Sequence, residues 1–160
     1  MERDVTRTRK EKKISHIVRV ECKVEDEELV ARAAERLGLA VERNAVPRYW
    51  GSAYGGGESE TCDLVVKLPG KYDLGVKRGE DGTYRWVCDT ELLEGAYGAD
   101  DPGRKLLGEH AEHLMTAYGC AAVERDLLQG AAYQTSVGAD GTVYYDVDES
   151  ELNRIGYQRD

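Results

Sequence analysis

The sequence predicts a single α+β domain, a mostly antiparallel sheet with two helices on one face. Three features carry that prediction. Several short segments alternate apolar and polar residues with the two-residue period of a strand. Two longer segments repeat apolar residues at helical spacing, and Pro-Gly and Asp-Gly pairs separate the strand-like runs. The length, 160 residues, is that of one domain.

The elements follow in order. Residues 1–13 hold six basic and three acidic side chains and almost nothing apolar. They read as a basic mobile tail, because such a segment cannot offset its ordering entropy by burial. Residues 14–148 form the domain. Val18, Val20, Cys22 and Val24 alternate with charged residues as a first strand. Asp26 is the expected N-cap of a helix whose stripe is Leu29, Val30, Ala33, Ala34 and Leu37, with Gly38 as its stop. A short strand follows near Leu39 to Glu42, then a loop containing Tyr49, Trp50, Tyr54 and three glycines.

A three-stranded meander comes next. Cys62, Leu64, Val66 and Leu68 alternate, then Tyr72, Leu74 and Val76, then Tyr84, Trp86 and Cys88. Pro69-Gly70 and Glu80-Asp81-Gly82 make the reversals. The inward set is thus even-numbered, leaving Asp63, Lys67, Asp73, Lys77 and Arg85 outside. A second helix starts after Asp100-Asp101-Pro102 and spans Gly103 to Gln129, bending at Gly108 or Gly119. The Asp140-Gly141 hairpin, Ala131 to Val147, completes the sheet. Residues 149–160 read as a C-terminal tail or a short helical turn. The leading topology is a ferredoxin-like split βαβ with extra strands.

Charge narrows the function. There are 31 acidic against 22 basic residues, a net −9. Such a chain repels phosphate backbones, so nucleic acid is disfavoured; a contact of the tail (Arg3, Arg7, Arg9, Lys10, Lys12, Lys13) with RNA is the last-ranked alternative. No apolar run is long enough to span a membrane, and four cysteines without a close pair read as core thiols of a reducing compartment, so the expected location is the cytoplasm. No nucleophile elbow, phosphate loop or dinucleotide fingerprint occurs. No catalytic residue and no cofactor are predicted.

Two clusters remain as candidates. Glu109, His110, Glu112 and His113 combine imidazoles and carboxylates, and on an unbroken helix His110 and His113 share one side. They are the alternative site, for a divalent metal, in a small metal-binding protein or an enzyme that uses the His110/His113 cluster. Tyr49, Trp50, Tyr54 and Tyr144 are the candidate binding surface, since ten Tyr and no Phe suit a half-wet contact face.

The run Ile14 to Val20 with the acidic cap and Ala-rich helix after it, the segments Lys71-Tyr72-Asp73-Leu74-Gly75-Val76 and Arg85-Trp86-Val87-Cys88-Asp89, the helix around Tyr118 and the closing hairpin together resemble a known family. It is an uncharacterised-domain family of bacteria, phages and algal plastids, which includes the hypothetical chloroplast reading frame thirty-five. The resemblance covers residues 14–148. It implies an accessory or adaptor protein of a multi-protein system, with an AAA-type ATPase or a small ferredoxin-like protein as partner. It supplies no catalytic residues. The chain departs from the family in its basic tail and at Asp89-Thr90-Glu91, where relatives often place tryptophans.

Overall fold

The computed structural model describes residues 17–21, 23–49, 60–93 and 99–156. The tail, Cys22, Trp50 and Tyr54 lie outside them. The chain is α+β, as predicted. Five strands, β1 (Ile17–Glu21), β2 (Val41–Ala45), β3 (Cys62–Val66), β4 (Leu74–Arg78) and β5 (Tyr84–Asp89), form one sheet in the order β1-β5-β4-β3-β2. Every neighbouring pair is antiparallel.

β1 and β2 therefore run in the same direction at opposite edges, and helix α1 (Glu27–Arg36) carries the chain across three intervening strands. A ferredoxin-like split βαβ leaves room for one. The order corrects that detail, since the whole β3–β4–β5 meander fills the gap.

Even-numbered parity holds through most of the meander. Leu64, Val66, Leu74, Val76, Tyr84, Trp86 and Cys88 share the main core. Val30, Ala33 and Ala34 of α1 close over it, with Leu92 and Leu93 of α2 (Thr90–Leu93) and Leu107 of α3 (Pro102–Leu107). Leu114 and Ala117 of α4 (Glu112–Ala122) complete the cover. The helices thus line one face. Asp26 caps α1 by accepting the Glu28 N–H at 2.8 Å, and Asp101 caps α3 by accepting that of Arg104 at 3.1 Å.

The predicted second helix is broken. Gly108 (φ 83°), His110 (φ 55°) and Ala111 (φ 62°) turn left-handed between α3 and α4, which places Leu107 and Ala111 in the core. Gly119 stays inside α4, which passes into a π-helical turn, Val123–Leu128. The hairpin also differs from expectation. Among the described residues, strands β6 (Tyr133–Val137) and β7 (Val143–Val147) pair only with each other, so the hairpin forms a separate two-stranded sheet and does not complete the main one. Helix α5 (Glu149–Arg154) follows as the expected short turn and buries nothing. No described helix is long and apolar enough to cross a membrane.

Candidate functional site

Three places concentrate polar chemistry: a buried carboxylate, the histidine cluster and the face of the hairpin. The carboxylate was missed by parity. Asp73 is fully buried rather than outside. It precedes β4, where the chain is leaving the Pro69-Gly70 turn and strand alternation does not yet apply.

Asp73 accepts five hydrogen bonds. Three come from Arg48, through its backbone N–H and Nε at 3.0 Å and Nη2 at 2.9 Å. Lys67 Nζ gives one at 2.9 Å and the Leu68 N–H another at 3.1 Å. Arg48 also donates to the carbonyls of Leu68 and Gly70. Burial alone pushes this carboxyl up, but these donors outweigh it and hold Asp73 below the ordinary value of 3.8. With its lone pairs engaged, Asp73 has no capacity left to take a substrate's proton. It is a strut joining the 46–49 segment to the meander.

Asp89, also fully buried, accepts the Glu91 N–H at 3.0 Å and so caps α2. Burial pushes the nearby Tyr72 hydroxyl up, and the negative charges of Asp89, Asp101 and Glu91 add to that.

The histidine cluster is divided by the helix break. His110 sits at the left-handed turn and His113 in the first turn of α4, so the premise of one continuous helical face does not hold. The His113 Nδ1 lies 3.1 Å from the Leu106 carbonyl. Each glutamate lies against the following histidine, Glu109 at 3.9 Å from His110 and Glu112 at 3.8 Å from His113. All four side chains are mostly exposed. Among the described residues, no three His, Cys, Asp or Glu are grouped as metal ligands.

Of the aromatic candidates, Tyr49 is buried with Cys62, Val65 and Val87 in a second, smaller cluster on the odd-numbered face. That corrects its place on a contact surface, and it moves Cys62 out of the main core. Cys88 alone of the described strand thiols lies where parity put it.

Tyr144 is different, being 56% exposed at the hairpin. Register puts it beside Ser136, on the face that also carries Gln134 and Asp146, and all four are exposed. The opposite face holds the hairpin to the domain. The Tyr133 hydroxyl meets Glu124 of the π-helical turn, and Glu124 also meets Arg36 of α1. The Tyr145 hydroxyl donates to the Cys120 carbonyl at 3.4 Å, and the Tyr133 and Tyr145 rings tilt together at 5.2 Å. Beside this tether, Arg32, Glu35, Arg36, Ala121 and Glu124 line an open cleft, across which Arg36 and Glu124 are ion-paired. The hairpin is thus anchored by hydroxyls on one face, and the described residues of the other are exposed.

Compared with family models, curated proteins and solved structures, the chain gives no significant match.

Proposed function

We propose that this protein is a non-catalytic accessory or adaptor protein, and that it holds a protein partner on the outward face of the β6–β7 hairpin around Tyr144. The bare face carries the reading. A tyrosine there offers a ring for a pocket and a hydroxyl for its rim, the residue type over-represented where binding energy concentrates. Asp146 shares its face, and Asp140, Asp148 and Glu149 are exposed nearby in the chain, so the matching surface is an apolar pocket with a basic rim. The engaged state of Asp73 and the split histidine cluster support a binding role over chemistry. The family resemblance of residues 14–148 points the same way, toward an AAA-type ATPase or a small ferredoxin-like protein in the cytoplasm.

Full-length protein used as bait in an extract of its own host tests this. The wild-type chain is expected to retain one partner in near-equal amount, with retention weakened by salt. Tyr144→Ser and Asp146→Lys are each expected to lose it while melting like the wild type. Equal retention by all three chains, or by none, contradicts the proposal.

A further inference from the structure

We infer that the free edge of β6 pairs with β6 of a second copy of this chain, making a two-fold dimer with a continuous four-stranded hairpin sheet. This inference does not rest on the adaptor reading, since it uses the edge of the hairpin and not its outward face.

An open strand edge presents unpaired N–H and C=O groups that template another strand, and proteins blunt such edges with charge, proline or a cover. Among the described residues, β6 has none of these. All five of its residues are exposed, and among the described residues only β7 pairs with it. It lies inside 127–139, the longest stretch of the chain without Asp, Glu, Lys or Arg. That absence matters here because two copies each carrying −9 repel, and a segment that meets its own copy must bring no charge to the seam. The other edge, β7, is guarded by Asp146 and by Asp148 and Glu149 just beyond it.

The β6 sequence is also complementary to itself. The antiparallel register that pairs all five residues is centred on Thr135. It sets Tyr133 against Val137 of the second copy on one face, an aromatic and β-branched pair, and Gln134 against Ser136 on the other. Val137, 70% exposed in the single chain, would gain its cover there. Because the same surface serves both copies, the pairing closes at two and does not propagate. It leaves Tyr144 of both copies on one face of the joined sheet.

Sedimentation equilibrium of the full chain over a concentration series tests the pairing. The wild type is expected at twice the 17.8 kDa chain mass. T135D and T135K each place like charges face to face across the two-fold and are expected at the single-chain mass, still unfolding in one cooperative transition. Their equimolar mixture is expected to return to the double mass, a rescue that misfolded chains would not give. D146K, on the guarded edge, is expected to stay dimeric. A wild type at single-chain mass throughout, a dimeric T135D, or a mixture that stays at single-chain mass overturns the inference.

Discussion

Asp73 shows what one side chain does in this molecule. Arg48 and Lys67 both turn toward it, so Asp73→Ala strands two cations and two backbone donors at a buried point. We expect a loss of about 3 kcal/mol in urea unfolding, the scale of breaking a buried pair whose cations keep some access to water. The same residue shapes the acid limb. Its folded carboxyl binds a proton less readily than the unfolded one, so its contribution is whole above the ordinary value of 3.8 and is lost as pH falls from there through the lower folded value. Asp73→Asn is expected to lose stability less steeply in that window, as read by urea midpoints. Gly75 is the second such position. A Cβ there would stand 2.6 Å from Cys62 Sγ and 2.9 Å from the Val87 carbonyl oxygen, so Gly75→Ala is expected to cost about 1–3 kcal/mol. Neither role was legible in the sequence. Alternation says which face a residue takes within a strand; it says nothing of Asp73 just before one, or of backbone crowding at Gly75.

At the scale of elements, capping and turn chemistry were the most legible because they are local. Asp26, Asp101, Gly38, Gly82 and Gly141 do what their residue types predict. The length of the second helix was not legible, because its apolar stripe continues across the break. Leu107 and Ala111 both reach the core, and only the left-handed turn between α3 and α4 allows them to do so on differently directed segments. Gly108 has φ 83°, and a Cβ there would meet Glu112 Cγ at 2.7 Å and His113 Cγ at 2.9 Å. Gly108→Ala is therefore expected to lower stability by about 1–2 kcal/mol, more than Gly119→Ala, whose Cβ meets nothing within 4 Å and which gains helix propensity. Paired thermal melts of the two variants check the order.

For the whole molecule, the α+β class and the covered face were readable from periodicity, whereas strand order was not. A β1–α1–β2 start is compatible with one or with three strands between the pair, and the difference is settled by where the meander docks. The hairpin was misplaced for a related reason. Tyr133, Thr135 and Val137 alternate like a half-buried strand, yet all are exposed, because two tyrosine hydroxyls tether the ribbon without burying it. Tyr144 kept its predicted exposure, while Tyr49 became packing. The molecule thus divides into a closed, strut-braced core and an exposed ribbon, the ribbon being where we propose that partners dock. Hydrogen exchange on dilute full-length protein, read by mass spectrometry segment by segment, tests that division most directly. The β3–β5 amides are expected to exchange only through global opening, the β6–β7 amides far sooner, and the latter to slow as concentration is raised. Hairpin amides as slow as those of β4 in dilute protein would contradict it.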